Sequence, residues 1–293
     1  MKSTVKKGYA KINLHLDITG ILDGGYHSVN TVMQSVSLFD TVTVTLREDR
    51  QYTLTCNVSG VPLDNSNLAV RAAMAYGERI GRTLGADIEI DKRIPMAGGL
   101  AGGSADAAAV LRGLNELCGS PLSVEELCAV GGRLGADIPF CIVGGTAFAN
   151  GKGDILHPFP SMPNCFIVIA CDTEGVSTPI AYRTLDSLYG GFAAESGYTP
   201  KSLNCLLSAA ESGDLRKVAQ NMFNIFEEPI LAIRPVASKI KKIMLGLGAV
   251  NAMMSGSGPS VFGIFESESD AKLACKKIKS MGIEPKLCHP VTP

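Results

Sequence analysis

The chain has almost no net charge, 27 Lys and Arg against 28 Asp and Glu in 293 residues, so it has no field to gather nucleic acid or an anionic membrane. It lacks any Cys-x-x-Cys pair. Nine scattered cysteines, an odd number, argue against a disulfide framework or a zinc site and for reduced, packed thiols. No apolar run is long enough to cross a bilayer, and the opening Met1-Lys2-Ser3-Thr4-Val5-Lys6-Lys7 has no apolar signal core, so a cytoplasmic protein is expected. The Asn57-Val58-Ser59 sequon is then accidental. Repeats and low-complexity segments are also missing. What remains, 46% hydrophobic residues in a chain of this length, suits two modest domains and small-molecule chemistry.

Glycine is concentrated in one place, the run Pro95-Met96-Ala97-Gly98-Gly99-Leu100-Ala101-Gly102-Gly103-Ser104-Ala105-Asp106. Its glycines permit positive φ and close approach to backbone N–H groups just ahead of a strong helix former, the arrangement of an anion cradle. A helix dipole contributes only about 0.3 to 1 kcal/mol, so converging N–H groups must hold most of a triphosphate. The loop has neither the Gly-Lys-Ser/Thr ending of a P-loop nor G-x-G-x-x-G spacing, and close helix packing is the alternative use of such a run. The pattern predicts a helix over 105–118, capped by Ser104 and ended by Gly119.

The first strand alternates: Ala10, Ile12, Leu14, Leu16 and Ile18 on one face, Lys11, Asn13, His15 and Asp17 on the other, which is either solvated or a site. After the Asp23-Gly24-Gly25 turn, Tyr26 and His27 either cap a core or stack on and hydrogen-bond a planar ligand. Period-two runs at 42–46 and 52–58 predict a hairpin. Asn67 is placed as a helix N-cap, and Ser123 with Glu126 forms a capping box. Asp137 lies between Gly135, a helix stop, and Pro139, which favours an extended preceding residue. It makes an Asx turn or serves a site, and the apolar stretch over 140–149 reads as a strand.

The proline-rich 158–163 divides the chain into domains 1–160 and 161–293. Strands at 166–170, 249–254, 261–265 and 285–288, with helices at 179–188, 203–210, 236–247 and 270–281, suggest a split βαβ, ferredoxin-like second half. Between two of these strands lies a second glycine turn, Ser255-Gly256-Ser257-Gly258.

Taken in order, these stretches resemble the GHMP kinases, the superfamily of galactokinase, homoserine kinase, mevalonate kinase and phosphomevalonate kinase. The 95–105 loop is similar to their second, ATP-binding motif and 254–265 to their third. Ala10-Lys11-Ile12-Asn13-Leu14, Asp23-Gly24-Gly25-Tyr26-His27 and Leu134-Gly135-Ala136-Asp137-Ile138-Pro139 narrow the resemblance to a branch whose alcohol substrate carries cytidine diphosphate in non-mevalonate isoprenoid synthesis. Ala101 stands where that pattern usually has glycine, tolerable with negative φ, and Gly25 is an extra turn residue.

The resemblance implies an α+β, two-lobed fold, with a lobe like ribosomal protein S5 domain 2, a ferredoxin-like lobe and a cleft between them. It implies ATP and Mg²⁺ as cofactors, a small-molecule acceptor, and neither nucleic acid nor membrane as partner. Asp137 would be the base and Lys11 its neighbour, with the loop from Pro95 to Ala105 on the phosphates and Asn67 reaching the adenine. Asn13, Tyr26, His27 and Tyr182 would hold the cytidine end. A silent nucleotide sensor and another kinase of the superfamily are the competing readings.

Overall fold

The computed structural model describes residues 2–172, 174–192 and 196–293. Two long strands, β1 (Ser3–Ile21) and β2 (His27–Leu46), pair antiparallel along most of their lengths. β3 (Tyr52–Cys56), α1 (Leu68–Arg79) and β4 (Ala86–Asp91) follow. Then come α2 (Gly102–Leu117), α3 (Val124–Gly132), α4 (Ile138–Val143), β5 (Thr146–Asn150) and β6 (Ile155–Pro158). β7 (Phe166–Ala170) leads to α5 (Thr178–Tyr189), α6 (Asn204–Glu211), α7 (Leu215–Gln220), β8 (Phe223–Asn224) and α8 (Glu227–Ile233). The order closes with α9 (Pro235–Gly246), β9 (Asn251–Met254), β10 (Val261–Phe265), α10 (Glu268–Lys279) and β11 (Lys286–Cys288).

Two sheets organise these elements. The first runs β3-β4-β2-β1-β8, with β5 and β6 branching from β2, and α2 packs its alanine-rich face on β1 and β2. The second runs β11-β7-β10-β9, all antiparallel, which is the 4-1-3-2 order of a ferredoxin-like half with α9 and α10 as its crossovers. A two-residue strand from the second half, β8, pairs in parallel with His15 and Leu16 of β1, so the first sheet is completed by later sequence.

Several local expectations are corrected. The 42–46 and 52–58 runs form no hairpin: β4 inserts between them, antiparallel to β2 and parallel to β3. A period of two marks a strand but does not choose its partner. The 140–149 stretch is the short helix α4 followed by β5, and Ile138, ahead of Pro139, is helical. Proline in a helix's first turn sacrifices no hydrogen bond, so it opens α4 instead of blocking it. Helix α2 starts at Gly102 with Ala101 as N-cap, and Ser104 lies inside the first turn without capping it. Ala101 has φ +58°, not negative.

The capping expectations elsewhere hold: Asn67 accepts from Ala69 N, and Ser123 and Glu126 make both bonds of their box. The polar face of β1 is not solvated. Lys11, Asn13, His15 and Asp17 are all buried, and a register shift between Asn13 and His15 breaks the expected alternation, so Leu16 lines the same cavity as Lys11 and Asn13. Asp17 accepts from the Tyr198 hydroxyl and from Lys201 N, while burial lowers the His15 pKa to about 4 and keeps the ring neutral. No helix among the described residues is long and apolar enough to cross a membrane.

Candidate active site

The glycine loop forms the wall between two cavities. The first, about 390 Å³, is lined by Pro95 to Ser104, by Asn67 and Leu68 at the start of α1, and by Gly60, Val61 and Pro62. The second, about 290 Å³, is lined by Lys11, Asn13 and Thr31 of the long strands, by Asp137, Tyr182 and Phe226, and by Gly256 and Ser257. Gly99, Ala101 and Ser104 line both. A group held by the loop from one side is thus presented to side chains on the other.

Backbone contact between the two glycine motifs fixes the loop. A Cβ on Gly99 would lie 2.2 Å from Ser255 O, and one on Gly256 would lie 3.1 Å from Gly99 O, so neither position has room for a side chain. Ser255 Oγ donates to Gly99 O at 3.0 Å and Ser260 N to Gly98 O at 3.3 Å. Because Ala101 in the left-handed region supplies the turn into α2, Ser104 does not cap and its hydroxyl is available to the cavities. Ala105 stands apart from the residues before it. It is fully buried, with its carbonyl against Gly8 of β1, and lines neither cavity.

Across the second cavity, Asp137 occupies the N-cap position of α4 without capping it, which leaves its carboxylate 39% exposed and 3.9 Å from Lys11 Nζ. Lys11 Nζ also donates to Asn13 Oδ1 at 2.7 Å. Asn13 is a junction: its Oδ1 also accepts from Gly256 N at 2.9 Å and its Nδ2 donates to Thr31 Oγ1 at 2.8 Å. This places Asn13 beside the lysine and the third glycine motif, in the cavity it shares with Tyr182. Within that motif Gly256 and Ser257 reach the cavity, whereas Ser255 is buried and Gly258 lies behind it, its N–H donating to Ser255 O.

Tyr182 joins Phe226, Leu16 and Val29 in the apolar wall of the second cavity, its pKa pushed up to about 12 chiefly by burial, so the phenol stays neutral. His27 packs on Tyr182 with ring centroids 4.6 Å apart, and its Nε2 lies 2.6 Å from Asp186 Oδ1. Neither His27 nor Tyr26 lines the cavity itself; Tyr26 is 58% exposed, under the ammonium of Lys152, which does line it. Asp186 and Lys152 escape sequence reading because each is a single charge with no spacing to mark it.

Lys92 and Asp106 line the first cavity too, in a buried charge cluster that the sequence did not announce. Lys92 Nζ contacts Asp40 Oδ2 at 2.6 Å and Asp106 Oδ2 at 2.7 Å, while Asp40 also accepts the N–H groups of Arg93 and Ile94. Burial raises the Asp106 pKa to about 7, and its Oδ1 has no hydrogen-bond partner among the described residues. One cation thus serves two carboxyls, and the less supported one favours its proton.

Comparison with known proteins agrees with this geometry. The sequence matches the GHMP kinases N terminal domain over residues 67–145 and the GHMP kinases C terminal region over 206–284. It is 41% identical to the 4-diphosphocytidyl-2-C-methyl-D-erythritol kinase of Caldicellulosiruptor saccharolyticus, covering 94% of this chain and 92% of that one. The corresponding enzyme of Alkaliphilus metalliredigens is also 41% identical, over 95% and 93%. A crystal structure of 4-(cytidine 5'-diphospho)-2C-methyl-D-erythritol kinase superposes with a TM-score of 0.79 at 30% identity, covering 98% of this chain and 99% of that one. Homoserine kinase from Cytophaga hutchinsonii shares the fold alone, with a TM-score of 0.76 at 20% identity and coverages of 100% and 96%. Likeness at this level along nearly the whole chain, in an architecture that puts both glycine motifs against one cavity, shows that the chain belongs to the GHMP kinases, in the 4-diphosphocytidyl-2-C-methyl-D-erythritol kinase family.

Proposed function

We propose that the chain transfers the γ-phosphoryl group of ATP to the 2-hydroxyl of 4-diphosphocytidyl-2-C-methyl-D-erythritol, giving the 2-phosphate and ADP, a step of non-mevalonate isoprenoid precursor synthesis. The observation that carries this reading is the shared wall. Nucleotide phosphates gripped from the first cavity at Gly99, Ala101 and Ser104 face the Lys11–Asp137 pair in the second.

Asp137 accepts the proton of the attacking hydroxyl, and Lys11, held by Asn13, neutralises charge that develops on the transferring group. General base catalysis supplies roughly 10²- to 10⁴-fold, so positioning by the loop and electrostatics carry the rest. The loop N–H groups and the first turn of α2 hold the phosphates, and Asn67 and the 60–62 segment border the place for the adenine. Tyr182, His27 and Tyr26 receive the cytosine end. Ala105 takes no part except in packing α2.

Mg²⁺ enters with ATP in this reading and supplies charge neutralisation on the phosphates. The donors present suit it: the first cavity offers the Ser104 hydroxyl and the Asp106 carboxyl, whose Oδ1 has no hydrogen-bond partner among the described residues, in keeping with an ion that usually takes one or two protein oxygens and completes its shell with phosphate and water. A reducing, cytoplasmic setting belongs to the same reading, supported by nine cysteines that are all free thiols.

The test is coupled ADP release with Mg²⁺-ATP and, in turn, the cytidyl compound, galactose, homoserine and mevalonate. Turnover confined to the cytidyl compound is expected. Turnover with one of the others would keep the phosphoryl chemistry and remove the cytidine assignment, and ATP binding without transfer to any acceptor would favour a sensor.

A further inference from the structure

A substrate that carries a base at one end and a reacting alcohol at the other has its diphosphate in between, and the apolar wall of the second cavity offers that diphosphate nothing. Leu16, Val29, Tyr182 and Phe226 bear no charge. Two cations line the cavity. Lys11 is engaged by Asp137 and Asn13. Lys152 is exposed, has no carboxylate partner among the described residues, and rests its Nζ 3.7 Å from the centroid of the Tyr26 ring.

The backbone of Lys152 is firmly placed. It occupies the turn between β5 and β6, flanked by Gly151 at φ +66° and Gly153 at φ +93°, a double reversal that residues with a Cβ resist. Val29 N donates to Gly151 O at 2.8 Å and Gly153 N to Asn150 O at 3.0 Å, which ties the turn to the strand just after Tyr26 and His27. Lys152 N donates to Asp154 Oδ1 at 3.1 Å. From this fixed point a long, flexible side chain reaches either the Tyr26 face or the cavity.

We propose that Lys152 binds the diphosphate of the acceptor substrate, leaving the face of Tyr26 to do so, and that this exchange selects nucleoside diphosphate-linked alcohols over plain ones. The proposal rests on the kinase reading above for the identity of the acceptor. The exchange is favourable because a cation over an exposed aromatic face is held weakly, whereas an ammonium on phosphate oxygens makes charge-assisted hydrogen bonds. It also ties the two ends of the site together. Arrival of the diphosphate removes the ammonium from the Tyr26 face, which is thereby freed for the pyrimidine.

The experiment compares wild type with Lys152→Ala and Lys152→Arg, using ADP release for KM and calorimetric binding of CDP and of cytidine with saturating ADP filling the nucleotide cavity. In Lys152→Ala, KM for the cytidyl substrate and Kd for CDP are expected to rise about tenfold, the size of one lost charge-assisted contact, while Kd for cytidine stays within about twofold. Lys152→Arg restores most of the CDP affinity, and the salt dependence of CDP binding is shallower in Lys152→Ala. Equal weakening of CDP and cytidine would mean that Lys152 acts only through Tyr26 and would overturn the proposal, as would unchanged CDP affinity or a wild type that binds both alike. Failure of the parent reading looks different: phosphorylation of galactose, homoserine or mevalonate instead of the cytidyl compound.

Discussion

The two cavities are built by opposite means. The nucleotide side is backbone: ten consecutive residues, a left-handed N-cap and glycines whose missing side chains let one loop touch another. The acceptor side is side chain, drawn from β1, β2, α4, α5 and the third glycine turn, with each group contributed singly. A backbone site is vulnerable to added atoms and indifferent to most changes of functional group, whereas a side-chain site is vulnerable to loss of a functional group at unchanged shape.

The comparison is broken most severely at Asp137. Asp137→Asn preserves shape and removes the proposed base, so kcat should fall by roughly 10²- to 10⁴-fold with KM for ATP nearly unchanged; normal turnover would take the role of base away from it. Gly99→Ala tests the opposite side. Its Cβ would meet Ser255 O at 2.2 Å from a backbone at φ +75°, so a loss of about 1 to 3 kcal/mol in stability, read by urea unfolding, is expected together with a raised KM for ATP.

Asp106→Asn probes the charge cluster that backs the loop. With its pKa raised to about 7 by burial, Asp106 contributes stability that is fully present below the ordinary carboxylate range near 3.8 and is lost as pH rises through about 7. The asparagine variant should therefore lack a slope of at most about 1.4 kcal/mol per pH unit in that window, measured as the difference between the two unfolding curves. The smallest effect is expected at Ala101. Glycine there relieves φ +58° and should raise stability by about 0.5 to 1 kcal/mol without altering KM for ATP; a destabilised variant would show that the Ala101 methyl is required for packing.

The same contrast explains what could be read from the residues alone. A contiguous backbone site writes itself as a string, so the loop, its following helix and the third glycine turn were legible. The alternation of β1 marked Lys11 and Asn13, and the flanking Gly135 and Pro139 marked Asp137. The identity of strand neighbours was not legible, because alternation is the same whether β2 meets β3 or β4. Nor was the sign of φ at Ala101, which depends on how Gly99 and Ser255 meet across more than a hundred residues. Lys152 and Asp186 are single charges whose contacts lie far away in the chain, and Lys92 and Asp106 meet across a spacing that follows no helix or strand period, so no pattern announces them.

One consequence follows from Asn13, which accepts the N–H of Gly256 and the ammonium of Lys11 on the same oxygen. A nascent chain emerged from the ribosome only as far as β6 already carries the complete glycine loop, Asp137 and Lys11, yet it lacks the later turn that locks Asn13 and braces Gly99. Since domains tend to fold in order during synthesis, such an intermediate would hold the proposed base and lysine without the brace that aligns them. A fragment ending after β6 is therefore expected to show no ATP turnover of its own.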